Sequence, residues 1–105
     1  MSGAFSKRDE GQWIEVRGFV RRLLSDDSDG SPHQRFVIDI GSRQTLLIAH
    51  NLDLAERVPV GLGDRVCVRG MYEWNDLGGL VHWTHRDPQQ IQDGGWVRYR
   101  QRTYK

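Results

Sequence analysis

The residue types that can do chemistry in this chain are its four histidines, His33, His50, His82 and His85, with Asp87 close behind the last. Imidazoles beside a carboxylate bind zinc or another divalent ion, or act as acid and base in hydrolysis. Two of the four lie in the stretch Tyr72 to Pro88, with two of the four tryptophans and the pair Gly78-Gly79. That stretch reads as a strand, a tight turn and a second strand that stops at Pro88. The chain carries no phosphate-binding glycine loop, no dinucleotide turn and no nucleophile elbow. No catalytic motif therefore points to an enzyme.

A second pattern interleaves arginine with aromatic rings. The tail Trp96-Val-Arg-Tyr-Arg-Gln-Arg-Thr-Tyr-Lys105 has a local charge of +4 and no acid. As one extended strand it projects Arg98, Arg100 and Arg102 from one side, flanked by Trp96 and Tyr104. Such interleaving suits phosphate pairing and base stacking, the latter at roughly 1–3 kcal/mol per base. The alternative is a strand that packs Trp96 and Val97 on the core and leaves its arginines in water. Trp13 and Trp74 are the further rings expected to face outward. Trp13 shares strand parity with Arg17, and Trp74 borders a loop.

These groups need elements to hold them. A chain of 105 residues is one domain. Residues 1–11 read as a flexible leader, 12–88 as a barrel, and 89–105 as a linker and basic arm packed on it. Trp13 to Leu24 alternates as a long strand, with a bulge or bend at Gly18. His33–Ile40 and Gln44–His50 form a hairpin. Its buried faces match when Phe36 meets Ile48 and Ile38 meets Leu46, which sets Gln34 opposite His50. Asn51 to Pro59 reads as one short helical turn capped by Asn51. Asp64–Trp74 is a fourth strand bent at Gly70, and Gly79–His85 is a fifth. Five short strands with a helical element between the third and fourth form the OB-fold pattern, a small closed all-β barrel. An SH3-like barrel is the structural rival.

In that barrel the third and fifth strands run side by side and parallel. His50 then approaches His82, His85 and Asp87, and His33 starts the second strand at the same end. With Val81 and Trp83 inward, His85 points inward and His82 outward. A tight metal site would then be His50, His85 and Asp87, with His33 and His82 as an outer pair. The alternative is a rim of hydrogen-bonded histidines with Asp87 capping the turn at Pro88.

Several classes are set aside. Net charge is +1, so nucleic-acid binding has to come from a local patch. The single Cys67 excludes an internal disulfide and a cysteine-based zinc site, and between Val66 and Val68 it reads as a small buried hydrophobe. The acidic loop Ser25–Pro32 resembles a calcium loop at Asp27, Asp29 and Gly30. It places Ser25 and Phe36 where such a loop needs ligands. No apolar run reaches membrane length, so no membrane partner is expected. Met1 to Gln12 holds no export segment, and a cytoplasmic setting is expected.

His33-Gln-Arg-Phe36, Ile48-Ala-His-Asn-Leu-Asp-Leu-Ala55, Tyr72-Glu-Trp-Asn75, Gly79-Leu-Val-His-Trp-Thr-His-Arg-Asp-Pro88 and Gly94-Gly-Trp96 together resemble an uncharacterised bacterial domain-of-unknown-function family. The resemblance runs from about Trp13 to Tyr104. It implies an OB-like barrel and transfers no catalytic role.

The leading expectation is a small module that binds single-stranded DNA or RNA through Trp13, Arg17, Trp74, Trp96, Arg98, Arg100, Arg102 and Tyr104, without a cofactor. One alternative is a metal-dependent hydrolase or nuclease at the histidine rim, with a divalent ion as cofactor. Another is a protein-interaction or self-association module that uses an open strand edge.

Overall fold

A computed structural model describes residues 5–27, 30–91 and 94–105. Three expected segments fall partly outside these: the first four residues of the leader, Ser28 and Asp29 of the acidic loop, and Gln92 and Asp93 of the linker.

Alternating apolar residues make seven strands. These are β1 (Trp13–Asp27), β2 (His33–Asp39), β3 (Thr45–Asn51), β4 (Arg65–Glu73), β5 (Leu80–His82), β6 (Trp96–Tyr99) and β7 (Arg102–Tyr104). The sheet order is β1-β2-β3-β5-β4-β6-β7, and β1 also pairs with β4. The first five strands thus form a closed ring, β1-β2-β3-β5-β4-β1, with β3 and β5 parallel. This is the connectivity of an OB-fold. Inside the ring Phe36, Ile38, Leu46, Ile48, Val68, Tyr72 and Val81 are fully buried.

The β2–β3 register follows the apolar faces. Phe36 lies opposite Ile48, Ile38 opposite Leu46 and Gln34 opposite His50. Gly18 and Gly70 are sites of close approach. A Cβ on Gly18 would stand 2.6 Å from the Asp39 carbonyl oxygen, where β1 passes from β4 to β2. On Gly70 it would stand 2.5 Å from the His82 carbonyl oxygen and 2.9 Å from Thr84. The register shifts of β1 lie further on, between Val20 and Arg22 and between Leu24 and Asp27.

Some other segments differ from expectation. Lys7–Asp9 is a short 3-10 helix. Phe5 tilts against the Tyr72 ring, 5.4 Å between centroids, and its N–H donates to the Gln44 side chain at 2.7 Å. The segment after Asn51 is the single turn expected: the Asn51 side chain accepts from the Asp53 N–H at 2.8 Å and its backbone carbonyl from the Ala55 N–H at 3.1 Å. Cys67 faces out and is half-buried, because Val66 and Val68 take the core side of β4.

The tail is not one extended arm. It reverses at Arg100 and Gln101, both at positive φ (51° and 68°), so β6 and β7 form a hairpin. β6 pairs along β4 at Cys67–Arg69, while β5 takes Met71–Glu73. Val97, Tyr99 and Tyr104 are buried in the common core. Tyr99 donates its hydroxyl to Asp64 at 2.5 Å, and this bond holds the Asp64 carboxyl below the usual carboxylate range. Among the described residues no helix is long and apolar enough to cross a membrane.

Candidate functional site

Two surfaces gather the chemical groups: a histidine groove at one end of the ring and a basic outer face. The groove exists because β5 stops early. His82 is its last residue, and Trp83 takes a left-handed conformation, φ 58°. That conformation is costly for a bulky side chain. The chain then leaves the sheet and returns at Gly95, whose N–H donates to the His85 carbonyl at 2.7 Å. The reversal breaks the alternation assumed from sequence: Thr84 points into the core beside His50 and is fully buried.

His50 therefore closes the ring end and has no free nitrogen. Its Nε2–H donates to the Glu56 carbonyl at 2.8 Å, since a carbonyl can only accept, and its Nδ1 accepts the Thr84 hydroxyl at 2.7 Å. Beside it Gln34 donates to the Val58 carbonyl at 2.7 Å and accepts from the Val58 N–H at 2.8 Å. Together they pin the β3–β4 loop across the opening. Burial pushes the His50 imidazole below its ordinary pKa of 6.5, and the neighbouring His85 and His33 add to that shift.

The side chains of His50, His85 and Asp87 do not gather as the expected trio. Both His50 nitrogens are used. Both Asp87 oxygens cap the following loop, accepting from Gln89 at 3.0 Å and Ile91 at 3.1 Å. Among the described residues no three His, Cys, Asp or Glu side chains come together as a metal site. The outer pair is separated in role: His82 Nε2 meets Glu73 at 2.7 Å, while His33 Nδ1–H donates to the Ser31 carbonyl at 2.8 Å. His33, His82 and His85 do line one cavity of about 480 Å³, with Trp83, Leu54 and Ile91. The Trp83 ring stacks on His85 (5.8 Å, 19°) and meets Trp13 edge-on at 6.0 Å.

The basic face is set by register. Arg17 of β1 lies opposite Cys67 of β4, which lies opposite Arg98 of β6. One row along, Glu15 lies opposite Arg69, which lies opposite Trp96. In the other direction Phe19 lies opposite Arg65. Side chains two apart on a strand share a face, so these groups form one outer surface. Lys105 lines the same depression as Glu15, Arg69 and Trp96. The Arg98 guanidinium stands 4.7 Å over Trp96, Arg69 5.1 Å over Trp13, and Arg65 5.7 Å over Phe19.

Of the eight residues expected to bind nucleic acid, Trp13, Arg17, Trp96 and Arg98 meet here. The other four do not, for separate reasons. Tyr104 is buried on the core side of the hairpin. Arg102 shares its parity, stands over its ring at 4.9 Å and bonds Glu56 at 2.6 Å. Arg100 occupies the turn itself, over Tyr99 at 5.2 Å. Trp74 follows the end of β4, exposed beneath Lys7 at 5.5 Å. Sequence reasoning missed Thr84; it counted Arg35, Arg65 and Arg69 with Arg17 as strand cations able to supply charge, and Phe19 among the strand aromatics, without placing Arg65, Arg69, Phe19 and Lys105 on one face. The alternating Arg65, Cys67, Arg69 of β4 was the available signal.

A family model described as "Protein of unknown function (DUF3465)" matches residues 1–105. The chain belongs to this family. The motifs that first suggested an uncharacterised family lie within the matched span, and DUF3465 membership brings no assigned activity. No curated protein and no solved structure matches the chain.

Proposed function

We propose that the chain binds single-stranded nucleic acid on the outer face of β1, β4 and β6. The observation that carries this is the charge of that face: among the described residues Arg17, Arg65, Arg69, Arg98 and Lys105 outnumber Glu15, which pairs with Arg69 at 3.3 Å, and the marginal acids Asp39 and Glu73, on a molecule of net charge only +1. The cations are interleaved with Trp96, Phe19 and Trp13, and a depression of about 260 Å³ opens between Arg17, Cys67, Trp96 and Arg98. Phosphates would pair with the guanidiniums while bases stack on Trp96 and on the Arg98 plane. The acidic end of β1, Asp26 and Asp27, lies nine or ten residues along the strand from Arg17, up to roughly 30 Å away. Single-strand binding by OB-folds in general is supporting analogy only.

The motif resemblance supports a bacterial source. A lone free thiol, Cys67, suits a reducing cytoplasm. The test is titration of the tryptophan fluorescence with a mixed-sequence 12-mer at low salt. Arg17→Glu with Arg98→Glu should weaken binding at least about tenfold, as expected for removing two phosphate contacts and adding repulsion. Unchanged affinity in the double variant rules out this face.

A further inference from the structure

The histidine groove is distinct from the basic face, and its hydrogen-bond inventory specifies an occupant. His33 donates Nδ1–H to the Ser31 carbonyl, and His85 donates Nδ1–H to the Arg86 carbonyl at 2.7 Å. A carbonyl only accepts, so in each neutral ring Nε2 is left as an acceptor. Neither Nε2 has a partner among the described residues. The two rings thus bring lone pairs to one cavity whose flat wall is the Trp83–His85 stack and whose rim is Leu54 and Ile91, 41% and 78% exposed. Trp83 is held there at a cost. Its φ is positive, and its buried indole N–H has no partner among the described residues. Backbone strain and orphaned buried donors of this kind concentrate at functional sites.

The geometry points to a groove for an amino-bearing nucleobase. A planar ring would lie over Trp83 and edge-on to His85, and the two N–H groups of an exocyclic amine, or the amine with a neighbouring ring N–H, would donate to the Nε2 atoms of His33 and His85. Cytosine, adenine and guanine offer amine donors. Thymine and uracil offer a single donor, N3–H, flanked by two carbonyl oxygens, so they leave one Nε2 lone pair facing an acceptor and are disfavoured. Two sources share this chemistry: a free nucleoside, or the end of a strand lying on the basic face. The Arg69–Trp13–Trp83 contacts join that face to the groove wall.

The experiment is an NMR titration of the full chain with cytidine, adenosine, guanosine and thymidine. It reads the imidazole signals of His33, His82 and His85 and the Trp83 indole N–H. Saturable shifts centred on these signals are expected, with thymidine about tenfold weaker than the other three. Absence of shifts at these rings, or equal binding of all four nucleosides, overturns the assignment. His85→Phe keeps a stacking ring and removes the acceptor, so it should abolish the preference while retaining weak thymidine binding. A preference that survives overturns the role of Nε2. Arg17→Glu separates the sources. A strand-end occupant loses groove shifts with the 12-mer but not with free cytidine. An occupant supplied free gives groove shifts with cytidine and none with the 12-mer. Failure of the 12-mer to bind anywhere, with cytidine still in the groove, sinks the basic-face proposal and leaves this one standing.

Discussion

At the scale of single residues the ring end depends on His50 and Thr84. Each ring nitrogen of the buried imidazole has one partner, and the Thr84 hydroxyl is one of them. Thr84→Val keeps the shape and leaves Nδ1 without a donor. A loss of about 1–3 kcal/mol in unfolding free energy is expected by urea denaturation, the usual cost of an orphaned buried polar group. The pH dependence follows from the same environment. Burial lowers the folded-state pKa of His50 below 6.5, so the unfolded chain takes up a proton first as pH falls. Stability from this residue is therefore fully present above about pH 6.5 and declines below it, until the folded form also protonates. The His50 ring signal in an NMR titration should have its midpoint below 6.5; a midpoint at or above that value contradicts the neutral, doubly bonded ring. A hydrogen-bonded histidine rim with Asp87 capping the following turn was legible in the sequence as the alternative to a metal site; Thr84 as the partner of His50 was not. Parity counted Trp83 as an ordinary strand residue, and its left-handed backbone moved Thr84 to the position assigned to His85.

At the scale of elements, close approach decides where strands end and change partner. β5 and β6 occupy successive stretches of the same β4 edge, and Gly70 lies between them. Gly70→Ala would drive a methyl into the His82 carbonyl, and a loss of about 1–3 kcal/mol is expected. Gly61→Ala is the control. Its added methyl would meet only Asp64 at 3.5 Å, so a change within about 0.5 kcal/mol is expected. Equal thermal shifts in the two variants would contradict this role for Gly70. Gly18 and Gly70 stood out in the sequence because each interrupts a run of alternating apolar residues; the positions read as bends are sites of close approach, and the β1 register shifts lie further on. The Phe36–Ile48 and Ile38–Leu46 pairs were visible for the related reason that a slip would expose the whole apolar face. The tail hairpin was not visible. Arg100-Gln101 has none of the Asn-Gly or Gly signal that usually marks two left-handed turn residues. Reading it as one strand aligned Arg98 with Arg102, whereas the turn puts them on opposite sides.

At the scale of the whole molecule, a net charge of +1 conceals a segregated surface. Acidic residues cluster toward the far end of β1, where Asp26 pairs with Arg57, while on the face around Arg17, Arg65 and Arg98 the described cations outnumber the acids Glu15, Asp39 and Glu73. The composition could not show this, because segregation is created by the pairing of β1, β4 and β6 and not by any run in the chain. The most direct measurement is the salt dependence of binding to a mixed-sequence single strand. With three to four phosphates neutralised at roughly 0.7 counterions each, the log–log slope of affinity against salt is expected at about −2 to −3. Arg17→Glu with Arg98→Glu should flatten it by at least about 1. No binding to the single strand at low salt, or a slope that the double variant leaves unchanged, would contradict a nucleic-acid role for this face.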